Sequence, residues 1–150
     1  MSRYNAHDLE DEIEDFWDNN DIYEKAKEVR EGNEKHYFLD GPPYVTGAIH
    51  LGTAWNKILK DTYLRYKRMQ GYDVRSQPGF DMHGLPIEVK VEKSLDLDSK
   101  REIEEIGVDN FIEKCKNFAK ENLDKMRDQF KMLGVWMDWE DPYMTIKNDY

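Results

Sequence analysis

Between Tyr37 and Gln77 the pattern of apolar residues changes period twice. Tyr37-Phe38-Leu39 is a short apolar run that reads as a buried strand. The stretch Asp40-Gly41-Pro42-Pro43-Tyr44-Val45-Thr46-Gly47-Ala48-Ile49 is then punctuated by Gly and Pro. From His50 onward, Trp55, Ile58, Leu59, Thr62, Tyr63, Tyr66 and Met69 recur at helical spacing, and Gly71 stands where a helix ends. Tyr72 to Gln77 reads as a second strand, stopped by Pro78-Gly79. Strand, long helix, strand is a βαβ unit, so the strands are expected to be parallel and the crossover right-handed. Both strand ends and the helix start at His50 then open on one crevice. Free backbone N–H groups and the positive end of the helix dipole can hold a phosphate there.

Helical patterns surround this unit. Residues 8–30 read as one or two acidic helices with Asp8 as N-cap, a stripe of Leu9, Ile13, Phe16 and Trp17 packed inward, and a break at Asn19-Asn20-Asp21. A helix is expected from about Ile87 to Ser94, a short acidic one over 99–106 ending at Gly107, and a long one from Asp109 closed by Gly134. The long one carries Ile112, Cys115, Ala119, Leu123, Met126, Phe130 and Leu133 on one stripe. Cys115 is the single cysteine, which excludes an intramolecular disulfide or a multi-cysteine metal site and makes it a small core residue. The tail Val135-Trp136-Met137-Asp138-Trp139-Glu140-Asp141-Pro142-Tyr143 is aromatic and turn-rich without periodicity. The fold class is α/β, yet two parallel strands are too few for so many apolar helix faces. The chain reads as the front part of a larger fold, with 1–33 a helical extension and 34–150 part of a catalytic domain.

No apolar run is long enough to span a membrane, and Met1-Ser2-Arg3-Tyr4 leads neither into an apolar leader core nor into an Arg-rich transit pattern, so a cytoplasmic protein is expected. The net charge of −10 is uneven: residues 1–40 hold 5 basic and 13 acidic side chains, residues 41–93 hold 8 and 5, and residues 94–150 hold 9 and 14. Only the middle segment suits a polyanion. An acidic chain argues against tight, sequence-independent nucleic-acid binding, which depends on neutralising phosphates.

His50-Leu51-Gly52-Thr53 at a helix start suits a nucleoside triphosphate: an imidazole can donate to a phosphate oxygen as charge develops, and Gly52 lets a flat base approach the backbone. Taken alone, His-x-Gly is more often the mark of a capping histidine than of a catalyst. The flanking residues decide between the two. Asp40-Gly41-Pro42-Pro43-Tyr44 before it, Asn56-Lys57-Ile58-Leu59-Lys60-Asp61 after it and Pro78-Gly79-Phe80-Asp81-Met82-His83-Gly84-Leu85-Pro86-Ile87-Glu88 resemble class I aminoacyl-tRNA synthetases, and among them the isoleucyl-tRNA synthetase family. Leu133-Gly134-Val135-Trp136-Met137-Asp138-Trp139 and Pro142-Tyr143-Met144-Thr145 extend the match over most of the chain.

The resemblance implies the first half of a Rossmann-like nucleotide-binding fold, helix-rich and incomplete. It assigns His50, Gly52 and Thr53 to the ATP signature, with His50 and Thr53 catalytic. It sets Gly41, Pro42 and Pro43 along the amino-acid pocket and pairs Asp81 with the substrate ammonium. For Asp81 a charge-assisted hydrogen bond gives that role independent sense, although an Asp after Pro-Gly is also a turn former. Thr53 stands where the bacterial signature has a second histidine. With Val45-Thr46 and Met82 it marks an archaeal-like branch. His83 is open to a structural or a catalytic role, and Lys57 and Lys60 read as solvated helix lysines. The family's Lys-Met-Ser-Lys-Ser loop, its remaining strands, its editing insertion and its anticodon-binding helices do not occur in the sequence.

By this resemblance the chain is expected to be part of an isoleucine–tRNA ligase. Such an enzyme activates isoleucine with ATP to an adenylate and transfers it to tRNA(Ile), with Mg2+ accompanying ATP and no protein ligands for it here. The full-length enzyme is expected to be a monomer. Binding of tRNA would run through parts missing from this chain, and the 150 residues alone would be inactive. Two other readings remain open: a small nucleotidyltransferase, which shares a His-x-Gly-His signature after its first strand, and a non-catalytic fragment that binds ATP, an amino acid or a protein partner.

Overall fold

The computed structural model describes residues 4–147. Two short helices, α1 (Ala6–Asn19) and α2 (Ile22–Glu28), precede strand β1 (Lys35–Leu39). Helix α3 (Leu51–Met69) leads to β2 (Asp73–Gln77) and the two-residue β3 (Gly79–Phe80). Helices α4 (Leu85–Ser94), α5 (Lys100–Ile106) and α6 (Val108–Met132) follow, and the two-residue β4 (Tyr143–Met144) lies in the tail. Strands β1 and β2 are parallel, with Lys35 opposite Asp73 and Leu39 opposite Gln77, as the βαβ reading requires.

Strand β2 ends at Gln77, before Pro78 as expected, but the chain resumes as a strand at Gly79. Residues 73–81 carry β2 and β3 in succession, and β3 pairs in parallel with β4, which the turn-rich tail had concealed. Asp138 N–H donates to Ser76 O, Tyr143 N–H to Pro78 O and Thr145 N–H to Phe80 O along this edge. Across the opposite edge, Asp40 N–H donates to Gln77 O, and Tyr44 bridges Asp81. The fold is therefore helix-rich α/β with small parallel sheets centred on residues 73–81.

Helix α3 has the expected limits, with Gly71 past its end at φ +94°, but it is turned over. Its buried residues are Lys57, Asp61, Leu64 and Arg68. The stripe expected inside, from Trp55 through Ile58, Leu59, Tyr63 and Tyr66 to Met69, is exposed. The cause is ionic. Asp61 Oδ2 accepts from Arg65 at 2.6 Å while its Oδ1 accepts the Trp136 N–H at 3.0 Å. Arg65 also lies over the Trp136 ring, 4.0 Å from its centroid. A charged face with fixed partners in the tail is held inward, and the apolar face has none there among the described residues. For a related reason β1 is not a buried strand. Among the described residues it pairs on one edge only, and Tyr37 and Leu39 are exposed.

The core lies where α4 and α6 meet the strand ends and the tail: Ile87 and Val91 pack with Ala119, Leu123, Met126 and Phe130, joined by Phe80, Met82, Val135, Met137 and Trp139. The stripe on α6 holds through its middle, and Cys115 is partly buried on it, its thiol pushed up by burial and then by Glu88 and Glu92. At its ends Ile112 and Leu133 are exposed, and Phe111 is buried in their place where α5 folds back. Ser99 and Glu102 form a capping box at the start of α5. Gly107, at φ +88°, turns the chain from α5 straight into α6, a conformation that favours glycine. Helix α1 is capped at Asn5 rather than Asp8 and buries no residue. Leu9, Ile13 and Phe16 are exposed, and Trp17 reaches the body edge-on against Trp136 at 5.2 Å. No described helix is long and apolar enough to cross a membrane.

Candidate functional site

The Gly/Pro loop is anchored at Asp40, the first residue after β1. Its carboxylate is buried between two cations: Lys57 Nζ contacts Oδ2, and Lys60 Nζ donates to Oδ1 at 2.6 Å. Gly79 N–H donates to Oδ2 at 3.3 Å. The Lys57 ammonium lies over the Phe130 ring, 4.6 Å from its centroid, and burial lowers its pKa despite the attraction of Asp40. Lys57 and Lys60 are therefore not solvated helix lysines. A buried carboxylate needs charge partners, and α3 supplies them from one turn. The seam is tight: a Cβ on Gly79 would sit 2.7 Å from Asp40 O and 3.2 Å from Pro42 Cβ, so only glycine fits.

His50 is the N-cap of α3, with extended backbone at φ −112° and ψ 170°. Its Nδ1 accepts the N–H of Gly52 at 3.1 Å and of Thr53 at 3.3 Å. This corrects the picture of free N–H groups at the helix start: two of them are taken by the imidazole, and that of Ile49 goes to Gln129 Oε1 at 2.8 Å. The same bonds fix the tautomer. With Nδ1 accepting, the ring proton sits on Nε2, and the exposed ring offers an N–H donor at the positive end of α3. Capping and donating are compatible. A Cβ at Gly52 would lie 3.1 Å from His50 Cε1 and 3.2 Å from Nδ1, so the glycine leaves room first of all for the ring. Thr53 is half-buried and contributes its N–H to the cap.

A second group forms on the other side of the loop. Pro43 O accepts the Asp81 N–H at 2.8 Å and Val45 N–H donates to Asp81 O at 3.1 Å, which sets Asp81 beside the Gly41-Pro42-Pro43 turn. Gly41 is exposed and lies against Lys60, while Pro42 and Pro43 are half-buried. The Asp81 carboxylate accepts from the Thr145 hydroxyl at 3.2 Å, and His83 Nδ1 lies 3.7 Å away. The structure thus joins Pro43 with Asp81 and His50 with Gly52 and Thr53. Asp40, Lys57, Lys60 and Thr145 tie these groups to the scaffold; from sequence the two lysines read as solvated, and Asp40 and Thr145 had no role assigned. The i, i+4 spacing of Lys57 with Asp61 and of Asp61 with Arg65, offset from the aromatic stripe, is the signal that marks an ionic face.

Two cavities of about 520 and 420 Å³ lie elsewhere, where α1 and α2 meet the tail around Tyr23, Lys27, Trp136 and Asp138, and none of the expected site residues lines either. Among the described residues no cluster of three or more His, Cys, Asp or Glu is placed to hold a metal ion.

Residues 12–150 match the family model for tRNA synthetases class I (I, L, M and V). The chain is 69% identical over 148 residues to the isoleucine–tRNA ligase of Thermococcus kodakarensis and 68% identical to that of Pyrococcus horikoshii. Each alignment covers 98% of this chain and 14% of the relative, so the chain spans about a seventh of the length of these curated proteins. In fold it resembles the LeuRS of the Agrobacterium radiobacter K84 agnB2 ternary complex LeuRS-tRNA-LeuAMS, with a TM-score of 0.71 at 22% identity over 97% of this chain and 16% of that one.

Proposed function

This chain belongs to the class I tRNA synthetases (I, L, M and V), and from that membership we propose that it carries the ATP- and isoleucine-binding start of an isoleucine–tRNA ligase. The observation behind this reading is the His50 cap: an imidazole whose tautomer is fixed by the helix start it caps, leaving Nε2–H free to donate. In the proposed reaction the isoleucine carboxylate attacks the α-phosphorus of ATP, pyrophosphate leaves, and the adenylate then gives its acyl group to the 3′ end of tRNA(Ile). Residues 34–150 form part of a Rossmann-like catalytic domain on this reading, and 1–33 an acidic extension docked on it.

His50 Nε2–H donates to a phosphate oxygen as charge develops, which is worth most in the transition state. Gly52 keeps the ring in place, and Thr53 adds a neutral hydroxyl at the helix start. Gly41, Pro42 and Pro43 wall the amino acid, and Asp81 takes its ammonium. The Asp40–Lys57–Lys60 cluster holds the loop and α3 at fixed separation, so that both groups meet one ligand. Mg2+ would arrive with ATP and neutralise its phosphates. The setting is cytoplasmic and the full-length enzyme monomeric.

The test is made in a full-length ligase carrying this segment. His50→Ala should slow isoleucine-dependent pyrophosphate exchange by roughly 10²–10³-fold, the usual loss for one transition-state donor, with far less change in ATP affinity. Exchange at the unsubstituted rate sinks the assignment, and a preference for leucine or valine over isoleucine overturns the substrate.

A further inference from the structure

We propose that Thr145 is a positioning residue for Asp81, holding one carboxylate oxygen so that the other is presented to the substrate ammonium, and that His83 serves Thr145 rather than the reaction. The proposal rests on the reading of Asp81 as the ammonium partner and specifies how that carboxylate is aimed.

Around Thr145 the donors and acceptors can be counted. A carboxylate only accepts, so the 3.2 Å bond between Thr145 Oγ1 and Asp81 Oδ1 uses the single hydroxyl proton of the threonine. That leaves Oγ1 two lone pairs, and both are engaged. Met82 N–H donates to it at 2.9 Å, and the His83 ring, through Nδ1, lies at 2.7 Å. With the hydroxyl proton directed at Asp81, the arrangement we propose has His83 as the donor, its proton on Nδ1. In that arrangement every hydrogen-bonding capacity of Thr145 Oγ1 is filled, and its proton is held on Asp81.

The backbone holds the threonine where it can do this. Thr145 N–H donates to Phe80 O at 3.2 Å, immediately past the β3–β4 pairing, so the residue is set by the sheet rather than by a loose tail. Asp81 is fixed from its other side by Pro43 O and Val45 N–H. Its side chain keeps 23% of its exposure, and Oδ2 has no hydrogen bond among the described residues. One oxygen is bound, and the other has no hydrogen bond within the described residues, on a residue whose backbone pairs with Pro43 and Val45. His83, with 66% of its side chain exposed, uses Nδ1 in this chain of bonds.

The experiment compares Thr145→Val, which keeps the shape and removes the hydroxyl, with Thr145→Ser, which restores it, in a full-length ligase carrying this segment. Thr145→Val should raise the KM for isoleucine about ten-fold, as expected for one hydrogen bond to a charged group, while the KM for ATP changes less than about two-fold. Thr145→Ser should recover isoleucine KM to within about three-fold of the parent. Binding constants for isoleucyl-sulfamoyl-adenosine and its counterpart lacking the α-amine give a readout independent of the fraction of folded protein. Only the amine-bearing ligand should lose affinity in Thr145→Val. Equal losses for both ligands, an unchanged isoleucine KM, or failure of serine to rescue would each overturn the proposal. Asp81→Asn separates the two layers. If it leaves isoleucine binding intact, the reading of Asp81 itself fails. If it weakens isoleucine while Thr145→Val does not, only the role of Thr145 falls.

Discussion

Lys57 and Tyr23 are the two side chains whose burial has the clearest consequences. Lys57 exchanges water for Asp40, the Phe130 ring and the Trp139 ring. Replacing it with methionine keeps the volume but leaves Asp40 with one charge partner, Lys60, and the Gly79 N–H. Breaking a buried pair costs roughly 3–5 kcal/mol, and the surviving partner points to the lower end, about 3 kcal/mol, read from the midpoint of urea unfolding. Tyr23 donates to Asp138 Oδ1 at 3.1 Å and shares a hydrogen bond with Ser76, and Arg68 and Lys27 lie over its ring. Burial first, and then the Asp138 charge, push its phenol from 10.0 up to about 12. A folded pKa above the unfolded one gives stability that is complete below the unfolded value and is lost as pH rises through the folded value. The loss therefore falls between about pH 10 and about pH 12, and amounts to at most roughly 3 kcal/mol at 1.36 kcal/mol per unit. Tyr23→Phe should remove that component of the alkaline decline. An unchanged pH slope in the variant would show that the phenol does not titrate late.

At the scale of elements, helix α3 separates what spacing decides from what packing decides. Amphipathic spacing identifies a helix and its limits, but which face turns inward depends on what lies opposite. Here Lys57, Asp61, Arg65 and Arg68 find partners in Asp40, Trp136, Gly134 and Ser76, and the aromatic stripe is left outside. Leu64 is the one apolar residue the helix buries. Leu64→Ala should cost about 2–5 kcal/mol, whereas Met69→Ala, at a residue 81% exposed, should change stability by less than about 0.5 kcal/mol. Equal costs, measured by thermal or urea unfolding, would place the aromatic stripe inward after all.

For the molecule as a whole, the exposed face of α3 adds Leu51, Trp55, Leu59, Tyr66 and Met69 to Tyr37, Leu39 and Tyr44 on and after β1. Large apolar side chains left together in water favour association or dye binding. Residues 1–150 on their own should bind a hydrophobic dye such as ANS and unfold over a broad range. They should also fail to charge tRNA(Ile). The net charge of −10 offers no basic face for an RNA backbone, and the sequence contains no Lys-Met-Ser-Lys-Ser loop to clamp pyrophosphate. Sustained charging of tRNA by the purified chain would overturn this view.

The features legible from the sequence are those that local physics sets. Helix ends at Gly71, Gly107 and Gly134, the parallel pairing of β1 with β2, the His50 helix start and the small-core character of Cys115 depend on backbone conformation, chain connectivity and spacing, all of which a sequence displays directly. The inward face of α3, the Asp40–Lys57–Lys60 cluster, the β3–β4 pair and the convergence of Thr145 and His83 on Asp81 were decided by the tertiary structure. Each depends on a partner far along the chain. The polarity of a helix face, or the number of protons a hydroxyl has left to give, takes its meaning from the group set against it, and only the fold brings that group within reach.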